Sequence, residues 1–170
     1  EQLRSKQIID IAHENINNFI KKGDELVRPL QHELRLIMWK YCGVIKNKTL
    51  LEEGFKKIEN LEFKLKDVDV RIDQHNCEDL ALVFDLQSSM ISAEATILSA
   101  LERKESRGAH QRSDFQETDP SCEFNCLVRM NKENSNLKIS KVPLKKLRDE
   151  LKIVISNVTI EEDLTGKLLE

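Results

Sequence analysis

Glycine and proline are scarce in this chain, five and three among 170 residues, and aromatic residues make up only 5%. A sandwich or barrel of many short strands needs a richer supply of turn residues and aromatics, so helices are favoured over an all-β fold. No apolar run approaches the roughly 20 residues that cross a bilayer, and no signal peptide is visible. Neither sign of charge dominates: 27 Lys and Arg stand against 30 Asp and Glu, a formal net charge of −3. A dedicated nucleic-acid surface would carry a clear basic excess. The four cysteines, Cys42, Cys77, Cys122 and Cys126, are irregularly spaced, and no further Cys or His completes a zinc motif. Reduced thiols of an intracellular protein are the expectation. The glycines are scattered, and none forms the G-x-G-x-x-G turn that holds a dinucleotide pyrophosphate. The chain opens at Glu1 without an initiator methionine, which reads as a piece of a longer protein. Its length suffices for one domain with a sizeable core.

What is abundant is helical periodicity. Residues 76–105 carry Leu80, Val83, Phe84, Gln87, Met90, Ile91, Glu94, Ile97, Leu98 and Leu101 at three- and four-residue steps, one face of a helix. Ala81, Leu82, Leu86, Ala93, Ala95 and Ala100 make the other sides apolar or small, which predicts a buried central helix. Asn76 is the expected N-cap, with Glu78 and Asp79 in the first turn and Gly108 as the stop. Three shorter helices precede it. The first spans 1–22, with an apolar stripe of Ile8, Ile11, Ala12, Ile16, Phe19 and Ile20. The second spans 28–42, with Pro29 in its first turn and Leu30, Leu34, Ile37, Met38 and Tyr41 inward. Trp39 and Tyr41 read as core anchors. The third spans 48–66, with Leu51, Phe55 and Ile58 inward and a Thr49–Glu52 capping box.

After His110 the period changes. Residues 124–130 and 137–142 read as the strands of a β-hairpin around the turn 131–136. A short helix is expected over 143–155, and an extended tail from 157 to 170. The fold class is therefore mainly α: an up-and-down antiparallel bundle of about four helices, spectrin-repeat-like, over 1–120, with a hairpin and tail appendage over 121–170. Short connections between helices favour the antiparallel arrangement.

Chemistry-bearing residues concentrate at the end of the long helix, in Arg103, Lys104, Arg107, His110 and Arg112. Guanidinium groups bind carboxylates and phosphates in bidentate fashion. Glu102, Glu105 and Asp114 are interleaved with them, so local pairing that fixes the following loop outweighs direct substrate binding. His13, His32 and the His75–Cys77 pair lack partners at metal spacing. Gln87 and Glu94, inside the apolar seam, are expected to find hydrogen-bond partners on neighbouring helices.

Residues 103–110, Arg-Lys-Glu-Ser-Arg-Gly-Ala-His, followed by 111–120, Gln-Arg-Ser-Asp-Phe-Gln-Glu-Thr-Asp-Pro, together with the upstream block 34–45, Leu-Arg-Leu-Ile-Met-Trp-Lys-Tyr-Cys-Gly-Val-Ile, resemble the C-terminal domain of the succinate dehydrogenase and fumarate reductase flavoproteins. L-aspartate oxidase carries a similar motif, but Ala109 and the run 111–114 resemble the succinate and fumarate enzymes more. Gln116 departs from the family pattern, which commonly has proline there. The resemblance covers about the first three quarters of the chain. It implies an FAD-dependent parent, with hydride transfer between flavin and the succinate–fumarate pair and electron transfer to an iron–sulfur subunit. It also implies flavin-binding and capping domains elsewhere in the same polypeptide. No catalytic, cofactor-binding or metal-binding residue of the family matches a position here, so the chain alone is expected to be inactive. Arg107, His110, Arg112 and Asp114 are then the expected interdomain docking residues. A cytoplasmic location, peripheral to the inner membrane through the parent complex, follows from the same resemblance.

Overall fold

Three stripes of apolar side chains at alternating three- and four-residue steps build the core. A computed structural model describes residues 2–20, 22–70, 72, 77–131 and 135–157. Its helices are α1 (Gln2–Phe19), α2 (Val27–Tyr41), α3 (Lys48–Leu65), α4 (Glu78–Glu102) and α5 (Asp149–Asn157). Its strands are β1 (Ile45–Lys46), β2 (Gln111–Arg112), β3 (Phe124–Met130) and β4 (Leu137–Pro143). Val27, Leu30, Leu34, Ile37 and Tyr41 of α2, Leu51, Ile58, Leu61 and Leu65 of α3, and Val83, Met90 and Ile97 of α4 share one cluster. Gly54 permits a close approach of the helices: a Cβ there would lie 2.6 Å from that of Tyr41 and 3.3 Å from Ile97 Cδ1. The expected class, mainly helical with a small hairpin, is borne out. Among the described residues no helix is long and apolar enough to cross a membrane.

Several local expectations are corrected. The buried stripe of α4 is Val83, Leu86, Met90, Ala93, Ile97 and Ala100, so three residues assigned to the other sides lie inside. Two of them are alanines, which close packing prefers and a reading weighted by size passes over. Glu94 is half-buried and finds no donor among the described residues; burial, then Glu62 and Glu59, push its carboxyl up. Gln87 is exposed. Trp39 is 84% exposed, because two residues beyond the inward Ile37 lies the opposite side of a helix. Helix α3 is capped by Asn47, whose Oδ1 accepts from Leu50 N at 2.9 Å. Thr49 falls inside the helix and forms no cap.

In α1 the expected stripe is used only at its end. Phe19 packs edge-on against Phe84, with centroids 5.5 Å apart, while Ile8 and Ile11 are 62% and 58% exposed. The hairpin has the expected strands, in antiparallel register from Phe124↔Pro143 to Met130↔Leu137. It covers α4 through Phe124, which is buried beneath Arg103 and Lys141. Pro143 ends β4 instead of opening a helix, since Leu144 N still donates to Glu123 O, and α5 starts six residues later. The expected N-cap Asn76, His75 and the tail beyond 157 lie outside the described residues.

Candidate interdomain site

Where α4 stops, its last carbonyls need donors. Arg103 leaves the helix in an extended conformation, and the next fifteen residues wrap around two buried charges of opposite sign. The first is Glu105, which is fully buried. It accepts from Arg107 Nε and Nη2 (3.0 and 3.2 Å), from Asp119 N (2.9 Å) and from Arg103 Nη1. The Arg107 guanidinium, followed by the Asp119 amide and Arg103, holds its carboxyl at about 2 against the opposing effect of burial. Arg103 extends the network to the carbonyls of Cys122 and Phe124, tying the hairpin to the helix end.

The second is Arg112, 2% exposed. Its Nε and Nη2 bind both oxygens of Asp114 at 2.7 and 2.8 Å. Its Nη1 donates to Ala100 O and Arg103 O at 2.7 and 3.0 Å. A cation on the terminal carbonyls of α4 complements the helix dipole. Asp114 also accepts from Lys48 N, the first residue of α3, at 2.9 Å, and Arg112 is the main cause that holds its carboxyl well below the usual range. One ion pair thus joins the end of α4 to the start of α3. Ser106, also buried, donates to Phe115 O and accepts from Arg112 N, both at 2.8 Å.

Between these anchors the chain makes a tight turn. Arg107 and His110 exchange backbone hydrogen bonds at 2.9 and 3.0 Å, and Gly108 takes φ +57°, a conformation that costs a residue with a Cβ. Strand β2 then pairs with β1 in parallel, Ile45↔Gln111 and Lys46↔Arg112. That pairing unites the two sequence blocks, and nothing in their local pattern announced it.

The turn stands beside an exposed apolar patch. Trp39, Val44 and Ile45 are 84%, 65% and 72% exposed. An open groove beside the turn is lined among others by Arg35, Trp39, Cys42, Val44, Lys46, Arg103 and His110, and Ile45 lies outside it. Burial, then the nearby Lys46 charge, push the His110 imidazole down. Of the residues expected at a docking site, His110 lines this groove and Arg107 sits at the turn with its side chain 49% exposed. Arg112 and Asp114 are turned toward the domain's own helix ends. Lys104 is exposed. Sequence reasoning passed over Ser106 and Lys46 and read Trp39 as a core anchor; the available signal was that Ser106 and Trp39 lie within the two motif blocks and Lys46 directly after the first. Among the described residues no group of three His, Cys, Asp or Glu side chains is arranged to hold a metal ion.

The family model described as "Fumarate reductase flavoprotein C-term" matches residues 31–162. An uncharacterized FAD-dependent oxidoreductase of Methanocaldococcus jannaschii is 37% identical over 119 residues, 70% of this chain and 21% of its own length. The fumarate reductase flavoprotein of Haemophilus influenzae is 28% identical over 128 residues, 74% of this chain and 21% of its own. L-aspartate oxidase of Pyrococcus abyssi matches a shorter stretch, 35% identical over 98 residues, 58% of this chain and 15% of its own. The fold is that of Mycobacterium smegmatis Sdh1, with a TM-score of 0.78 at 20% identity, over 92% of this chain and 27% of that one. The chain therefore spans about a quarter or less of each of these proteins. It belongs to the C-terminal-domain family of the succinate dehydrogenase and fumarate reductase flavoproteins.

Proposed function

We propose that this chain is the helical buttress of an FAD-dependent flavoprotein that interconverts succinate and fumarate, and that it packs on the flavin-binding and capping domains of the same polypeptide. Residues 1–120 form the buttress and residues 121–170 an appendage whose β3–β4 hairpin is tied to the end of α4. In this reading FAD is held by the rest of the polypeptide, because these 170 residues contain no G-x-G-x-x-G turn. The parent lies on the cytoplasmic side of the inner membrane, peripheral to it, and passes electrons to an iron–sulfur subunit. L-aspartate oxidation is the second reading, favoured by the matching L-aspartate oxidases.

The observation that carries the docking role is the joint exposure of Trp39, Val44 and Ile45 beside the Arg107–His110 turn. Large apolar side chains grouped on a surface mark an interaction site, and aromatics and arginines dominate such sites energetically. Arg107 and His110 are assigned to the interface. Arg112 and Asp114 support it from behind by holding the turn. The test is to introduce Trp39→Ser and Ile45→Ser in the complete flavoprotein and to measure bound flavin per polypeptide and the temperature of flavin release. The expected outcome is lower flavin retention, with near-normal retention for Phe63→Ser, an equally exposed apolar residue (75%) at the end of α3 remote from β1. Equal behaviour of all three variants would sink the docking reading.

A further inference from the structure

Lys46 is a buried cation with no carboxylate counter-ion among the described residues. It is 6% exposed, and its ammonium donates to one carbonyl, that of Val44, at 2.9 Å. Among the described residues no carboxylate forms an ion pair with it. Its charged neighbours are cationic or already engaged: Arg103 is bound to Glu105, and Arg112 to Asp114. Burial pushes the Lys46 amine down; the Cys42 thiol in the same groove opposes this, and Arg112 adds repulsion. The groove above it is lined by Arg35, Arg103 and His110 and by no carboxylate. A buried charge without a partner is costly, and such groups in folded proteins are paired.

We infer that the Lys46 groove receives a carboxylate side chain, an Asp or Glu, from the flavin-binding or capping part of the same polypeptide. This rests on the docking reading and names the chemistry at its centre. The apolar rim of Trp39 and Val44 excludes water from the contact, and Lys46 supplies the charge. His110 lines the same groove, with its Nε2 3.4 Å from the Arg103 carbonyl. An ion pair desolvated in this way gives register to an otherwise apolar contact.

The test uses the complete flavoprotein. A zero-length carbodiimide reagent joins an amine to a carboxylate in direct contact, and peptide mass spectrometry identifies the partner. The expected product links Lys46 to an Asp or Glu outside residues 1–170. Lys46→Met keeps the stem and removes the charge; it should lower the flavin-release temperature by several degrees, because it strands the incoming carboxylate. Lys46→Arg should restore most of the loss. A cross-link from Lys46 to a carboxylate within these 170 residues, or a Lys46→Met protein that retains flavin as well as the unaltered one, overturns the inference. So does protection of Lys46 by added succinate, which would put a free dicarboxylate in the groove. If Trp39→Ser weakens flavin retention while Lys46→Met does not, docking stands and the carboxylate falls. If neither variant changes retention, the docking reading itself fails.

Discussion

Arg112 spends all of its hydrogen bonds on the domain's own frame, two on Asp114 and two on the closing carbonyls of α4. Replacing it by alanine strands these carbonyls and leaves Asp114 facing them, so Arg112→Ala should cost about 3 kcal/mol in urea melts. Arg107 is half-exposed, and its partner Glu105 keeps Arg103 and the Asp119 amide. Arg107→Ala should therefore shift the melt far less. A second prediction concerns acid. The folded pKa of Glu105 is about 2, below its ordinary 4.5, and Asp114 and Asp119 are lowered as well. A depressed carboxylate stabilises fully above its unfolded pKa and loses that contribution as pH falls through the folded one. Stability should thus fall between pH 4.5 and about 2, and Glu105→Gln should lose stability at pH 7 and flatten that fall. Stability followed by circular dichroism against pH checks both. At this scale charge density pointed to the right segment, but direction was illegible. Whether Arg112 faces in or out depends on where the α4 carbonyls end, which no local pattern encodes. For the same reason Trp39 was read as a core anchor and Lys46 as part of a connection between helices.

The helices divide into those whose apolar face is covered and those whose face is not. Ile97 is fully buried against α2 and α3, so Ile97→Ala should cost about 2–5 kcal/mol in denaturant melts. Ile8→Ser in α1 should cost less than about 0.5 kcal/mol, since that residue is 62% exposed. Leu98→Ala falls between, because Leu98 is half-buried on the wall of a cavity with Phe55, Ile91 and Glu94. Hydrophobic spacing located α2, α3 and the hairpin strands to within a residue or two, since each buries one regular face. It misphased α4, where apolar residues occur all round and the inward face is partly alanine. The parallel pair β1–β2 was invisible, because two residues per strand carry no alternation to read.

At the level of the whole molecule, family membership was legible because it rests on two ordered blocks of specific sequence. The spatial union of the blocks was not, because it depends on a pairing between distant residues. That pairing has a kinetic consequence. Ser113 reaches the carbonyl of Lys46 across 67 residues of chain, with α3 and α4 in between. Closing so long a loop carries an entropic penalty that only completed helices offset, and contacts of this separation form late. The turn, the groove and the buried ammonium therefore come into register last. A half-folded chain presents no such face, so the surface proposed for docking doubles as a certificate of completed folding.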